Sequence, residues 1–230
     1  MTCQSLRQDL GPWLRGSAMA AYMAFSLVVP ANTAQAAAKT EGSKVDATQA
    51  LLAQVRQRVQ DAPVVRGQFT QRKTVQGFKQ PLQSSGDFVV ARGKGIAWQV
   101  RQPFASTLIV KPDSLMSRGA DGSVAMQMKA QDEPVLRTIN AMLFAVMAAD
   151  LAQLGQYFEV SGQVQGSSWK LHLVPRDAML AQWLQAVDLS GQQFVQEVQL
   201  QETRGDRSLI SIKNPAAEQA LRGQDASLFE

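Results

Sequence analysis

The chain has 230 residues, with 23 basic and 19 acidic side chains, one histidine and one cysteine. A net charge of +4 is mild, and no run of Lys and Arg alternates with stacking aromatics, which argues against a nucleic-acid groove. A lone cysteine excludes an internal disulfide, and one histidine with one cysteine leaves no Cys/His cluster for a metal.

Arg7 and Arg15 give the N-terminus its positive charge; the apolar run 18–29 (AMAAYMAFSLVV), Pro30 and Ala34-Gln35-Ala36 follow. These are the three parts of a secretory signal peptide, predicted over 1–36 with cleavage after Ala36. The run is shorter than the roughly 20 residues that span a bilayer. A retained anchor is the alternative. Cys3 precedes the apolar run, where a lipid-modified cysteine is not placed, so the mature chain is expected to carry no thiol and no lipid of its own. Without Arg7, Arg15 and Asp9, the 23 basic and 19 acidic residues reduce to a net charge of +3. Residues 37–44 read as a flexible leader, and 45–230 as one domain with ample core.

Val45, Leu51, Leu52, Val55 and Val59 are mostly spaced by three or four, which predicts an amphipathic helix over 45–60, ended by Asp61-Ala62-Pro63. The period then changes. Segments 64–75, 82–92, 95–101, 105–111, 114–118 and 123–129 are separated by glycines and prolines, with Arg92-Gly93-Lys94-Gly95 as a tight hairpin. A second helix is predicted at 135–149, entered through Asp132-Glu133-Pro134. Strands follow at 156–165, 168–175, 183–190, 193–203 and 207–213, and residues 215–222 allow a short helix. The economical fold is α+β: one large antiparallel sheet with helices against one face.

Catalytic chemistry is sparse. Trp169, Leu171 and Leu173 share one strand face, which leaves His172 with Lys170 on the other, solvated one. No serine sits in a nucleophile elbow, no carboxylates cluster with histidine at metal-ligand spacing, and Gly93-Lys94-Gly95 lacks the rest of a phosphate loop. Carboxylates paired from distant strands stay open. The expectation is a binding protein and not an enzyme, with no cofactor, no metal and no catalytic residue.

Two features need explanation. The helix 135–149 carries Ile139, Met142, Leu143, Val146 and Met147 on one stripe, with Phe144 and alanines over much of the rest. Such a helix is either a central core element or a lid over an apolar cavity, and its methionines suit varied ligands. Arg92 ends the strand Phe88-Val89-Val90-Ala91-Arg92. It either shares the inward face of Phe88 and Val90 or, if the strand stops at Ala91, belongs to the glycine turn in water.

Phe69-Thr70-Gln71, Gly86-Asp87-Phe88, Arg92, Trp98 and Gln102-Pro103 stand in an order and spacing that resemble the LolA-like family, periplasmic carriers that move lipoproteins to the outer membrane. The resemblance spans about Val45 to Ile212. It implies an incomplete, strongly curved antiparallel barrel of about 11 strands whose helices cover the concave face, with acyl chains held between sheet and helices. The ligand-binding set it implies on the sheet is Phe69, Phe88, Val90, Trp98, Leu108 and Val110. Ile139, Met142, Leu143, Val146 and Met147 face them from the helix, and Arg92 latches the helical lid. The implied partners are an acylated lipoprotein or another apolar lipid, an inner-membrane releasing complex and an outer-membrane acceptor, served by a periplasmic monomer that does not span the membrane. Two departures stand out: Gly93 where the family usually has proline, and Leu115-Met116 where it usually has aromatics. The run Arg66 to Arg72, with Gly77-Phe78 and Pro81-Leu82, also resembles a divergent branch associated with aryl-polyene pigment gene clusters.

Overall fold

Glycine and proline breakers cut the chain into strands that each pair antiparallel with a neighbour. The computed structural model describes residues 47–129, 131 and 151–229. The first meander is β1 (Val64–Thr74), β2 (Leu82–Ala91), β3 (Gly95–Gln102), β4 (Ser106–Val110), β5 (Ser114–Gly119) and β6 (Val124–Lys129). The second is β7 (Phe158–Gln165), β8 (Ser168–Pro175), β9 (Leu184–Gly191), β10 (Val195–Glu202) and β11 (Arg207–Glu218). Pairing of β1 with β11 fuses them into one 11-stranded sheet, ordered β6-β5-β4-β3-β2-β1-β11-β10-β9-β8-β7. The sheet does not close: β6 and β7 are its two edges. This is the α+β antiparallel sheet expected from the sequence pattern, unclosed as the incomplete barrel implied by the family resemblance would be.

Period-two alternation sends one set of side chains to a single face across the whole sheet. Along one line of partners run Leu115, Val110, Ile96 and Val90; along another, Leu108, Trp98 and Phe88. On the far side Leu173 partners Val187 and Leu171 partners Leu189. The helix predicted at 45–60 is described over 47–56, where Leu52 and Val55, one turn apart, are buried against Leu154, Phe158, Trp169 and Leu171. A helix not anticipated from the sequence, Leu151–Tyr157, brings Leu154 into the same cluster. Burying a side chain of that size stabilises by about 1.5–3 kcal/mol before entropy is counted, so helix packing and strand pairing are mutually dependent here.

The C-terminal tail corrects one expectation. Residues 215–222 do not form a helix: β11 continues through Glu218, and the helix lies at Gly223–Ala226. A register shift opposite Arg66 and Gln68, with Asn214 at φ 49°, takes Pro215 out of the ladder, after which Ala216 and Ala217 pair with Arg66 and Val65. Proline is tolerated in a strand at such an irregularity. Beyond it the tail crosses the opposite face, where Leu221 and Phe229 cover Val64, Val89 and Ala91. Arg66 fixes it, with Glu218 at 2.8 Å and Asp225 at 2.5 Å. Desolvation would lower the pKa of Arg66, but both carboxylates more than offset that and raise it.

The signal peptide expected at 1–36, the leader expected at 37–44 and the helix predicted at 135–149 lie outside the described residues.

Candidate ligand-binding face

The apolar face divides into two regions of different character. On β7–β10 the cluster is mostly closed: Leu154, Phe158, Trp169, Leu171 and Leu173 are all fully buried, with Val164, Leu200 and Ile210 among a partly buried margin, and Trp169 donates its indole N–H to the carbonyl of Gln192 at 2.7 Å. On β1–β5 it is partly open. Phe88, Val90, Ile96 and Val110 are buried, whereas Val65, Trp98, Leu108, Leu115 and Ile212 around them are only half-buried. A large indole and several aliphatic side chains therefore keep contact area available beside a buried floor.

That floor is aromatic, and glycines make it possible. Phe69 lies directly across from Gly86, and Phe88 directly across from Gly67. Trp98 partners Phe88 on β3, stacks on Phe69 with centroids 3.7 Å apart at 25°, and lies 6.0 Å from Phe88 at 27°. A Cβ on Gly86 would come 1.8 Å from the carbonyl oxygen of Gln99 and 3.0 Å from the Phe69 ring; one on Gly67 would meet the Phe88 ring at 2.8 Å. The absent side chains give the rings room to lie across the sheet.

The structure brings together six of the sequence-derived positions, Phe69, Phe88, Val90, Trp98, Leu108 and Val110, on this face. Ile139, Met142, Leu143, Val146 and Met147 lie outside the described residues. Val65, Ile96, Leu115 and Ile212 join the face without having been singled out. Period two could have found them, since Val65 shares parity with Phe69 and Ile96 with Trp98.

Arg92 is placed differently from its neighbours. β2 ends at Ala91, and the Arg92 side chain, 63 % exposed, forms an ion pair with Asp61. Its backbone N–H donates to the carbonyl of Pro63 at 2.9 Å. Of the two placements open from the sequence, the turn is the observed one. The hydrogen bond and charge of Arg92 hold the carboxyl of Asp61 below the usual range. Gly93 has φ 73°, a value that proline, fixed near −65°, cannot adopt. This turn therefore has to do without the proline that the resemblance leads one to expect.

His172 lies on the opposite face, partly exposed, with its Nδ1 2.7 Å from Asp188. Among the described residues no group of three or more His, Cys, Asp or Glu is placed to hold a metal, and no helix is long and apolar enough to cross a membrane.

The family model described as outer membrane lipoprotein carrier protein LolA matches residues 60–230. Among solved structures, a LolA superfamily protein from Nitrosomonas europaea is 8% identical, with TM-score 0.45, 80% of this chain covered and 97% of that one. A DUF1329 family protein from Desulfovibrio piger is 11% identical, with TM-score 0.48 and coverage of 81% and 97%. A putative outer membrane lipoprotein-sorting protein domain from Vibrio parahaemolyticus is 7% identical, with TM-score 0.42 and coverage of 80% and 100%. No curated protein matches the sequence.

Proposed function

The chain belongs to the LolA family of outer membrane lipoprotein carrier proteins, and from that premise we propose that it is a periplasmic carrier that holds the acyl chains of a lipoprotein or lipid on the β1–β5 face and moves them from the inner to the outer membrane. The observation that carries this reading is a contrast of degree within one sheet: the β7–β10 cluster is mostly buried core with a partly buried margin, whereas around Phe88, Val90, Ile96 and Val110 the half-buried side chains, Trp98, Leu108 and Leu115 among them, outnumber the buried ones. A saturated chain laid on that face gains about 0.8 kcal/mol per buried methylene. Several methylenes suffice for capture.

In this proposal the signal peptide at 1–36 delivers the chain to the periplasm, and the domain 45–230 works there as a monomer, exchanging cargo with a releasing complex at the inner membrane and an acceptor at the outer. Ile139, Met142, Leu143, Val146 and Met147 are the further acyl-binding residues of this proposal, and Arg92 governs handover from the β2–β3 turn. Native mass spectrometry of protein purified from cells tests the reading. Co-purifying acylated lipid or lipopeptide is the expected result; a clean apo mass, with no quenching of tryptophan by a brominated fatty acid, would overturn it and leave the face as ordinary core.

A further inference from the structure

The large hydrophobic side chains that the described residues leave exposed gather toward one end of the sheet. In an antiparallel meander alternate connections share an end, so the β1–β2, β3–β4, β5–β6, β8–β9 and β10–β11 connections lie together. Phe78 (64 % exposed) stands in the first, Phe104 (84 %) in the second, and Met179 (51 %) and Trp183 (40 %) in the fourth. Leu82 and Val124 begin the strands that leave this end; Val174 precedes the last residue of β8, and Met126 lies two residues further into β6 than Val124. Among the described residues, the connections at the opposite end carry Arg92, Lys94, Lys111 and Asp113, and none of the exposed large hydrophobics.

Charge is distributed to match. Of the carboxylates at the apolar end, four are held within the protein, whereas Glu159, which partners Val174 on β8, is exposed. Asp177 accepts the N–H groups of Met179 and Leu180, Asp121 accepts the N–H and hydroxyl of Ser123, Asp206 accepts the N–H of Gln76, and Glu202 pairs with Lys73 at 2.7 Å. Lys79, Arg204 and Arg207, by contrast, are exposed and form no ion pair among the described residues. Lys79, Arg204 and Arg207 are therefore exposed cations outside the ion pairs of this end, set among separate apolar tips.

We propose that this end of the sheet is a docking rim for the surface of an anionic phospholipid bilayer. Aromatic and aliphatic tips flanked by unpaired Lys and Arg are what an interface of acyl chains below and phosphate groups above accommodates. The tips sit on separate connections and form no single groove; a fluid bilayer accepts them wherever they fall, whereas a rigid protein partner would need a pocket for each. The proposal goes beyond the carrier reading and stands on the surface chemistry alone.

The test is flotation of the purified chain with vesicles of phosphatidylethanolamine and phosphatidylglycerol, every variant having the same N-terminus. The wild type is expected to float, less so as salt is raised, and Phe78→Ser/Phe104→Ser to lose about tenfold in partitioning. Arg204→Glu/Arg207→Glu, which leaves the tips intact, should weaken binding to these vesicles and not to purely zwitterionic ones. A wild type that stays at the bottom, or variants that float equally well, would overturn the rim. So would a wild-type dimer in sedimentation that becomes monomeric in Phe78→Ser/Phe104→Ser, since the surface would then serve a second copy of the chain. Quenching by brominated fatty acid on the same samples keeps the two proposals apart: its absence with flotation intact sinks the carrier and leaves the rim.

Discussion

Phe69 stacks on Trp98 with ring centroids 3.7 Å apart, and it reaches across β2 to do so because Gly86 stands between them. Adding a methyl at Gly86 forces a contact with the carbonyl of Gln99, which is backbone and cannot rotate away. At Gly67 the nearest atoms belong to the Phe88 ring, which can shift. Gly86→Ala should therefore destabilise by about 1–3 kcal/mol or more, as overpacked cores do, and Gly67→Ala by less. Urea unfolding of both variants, with equal m-values, checks the order; equal costs would mean that the rings and not the backbone set the tolerance.

If the β1–β5 face holds the ligand as proposed, binding and stability should separate between the two halves of the apolar face. Leu108 and Trp98 are half-buried, so Leu108→Asn and Trp98→Ala remove ligand contact area while leaving the closed core intact. Each should weaken an acyl probe about tenfold, the worth of one or two buried methylenes. Leu173→Ala, at a fully buried position of the β7–β10 cluster, should cost about 2–5 kcal/mol of stability and leave probe affinity nearly unchanged. Isothermal titration paired with denaturant melts distinguishes the two; parallel losses in all three variants would count against a binding face confined to β1–β5.

The tail that crosses the opposite face has its own pH dependence. Burial tends to raise the pKa of Glu218, but Arg222 and Arg66 outweigh it and bring it below the ordinary value of 4.5. A carboxylate depressed on folding contributes stability that is present above its unfolded pKa and is lost as pH falls through the folded one. The tail should thus loosen below about pH 4.5, seen as faster amide exchange at Leu221 and flanking residues. Arg66→Met should flatten that acid limb and weaken the tail at neutral pH. Asp225, buried beside Arg66, should cost about 1–3 kcal/mol when changed to Ala, because the guanidinium then loses a partner.

Most of this fold was readable because its signals are local. Gly93, Gly166 and Gly205 adopt positive φ at turns, and alternating apolar residues between such breakers placed all 11 strands within a few residues, apart from the far end of β11. What resisted was set by distant partners. Ala216 and Ala217 favour helix by propensity, yet pairing with β1 and the grip of Arg66 on Glu218 keep them extended. The helix Leu151–Tyr157 owes its place to Leu154 docking among strands that come later in the chain. The aromatic floor was half legible: Phe69, Phe88 and Trp98 were singled out, but the glycines that admit their rings matter only once the strands are in register.

Arg92 offers the sharpest separation of fold from function. Its side chain and that of Asp61 are both largely exposed, and an exposed ion pair contributes little to stability. It nevertheless ties the β2–β3 turn to the segment joining the 47–56 helix to β1, in a position to couple that helix to the edge of the proposed ligand face. Arg92→Leu should leave the unfolding midpoint unchanged and acyl-probe affinity within a factor of about two, while slowing cargo release to an acceptor membrane or protein. Asp61→Asn should reproduce part of that slowing if the pair itself is the coupling element. Lowering the pH through the depressed titration range of Asp61 should weaken the pair in the wild type and have no such effect in Asp61→Asn. Stopped-flow transfer of a fluorescent acyl cargo reads all three, and wild-type transfer rates in Arg92→Leu would remove the arginine from the handover step.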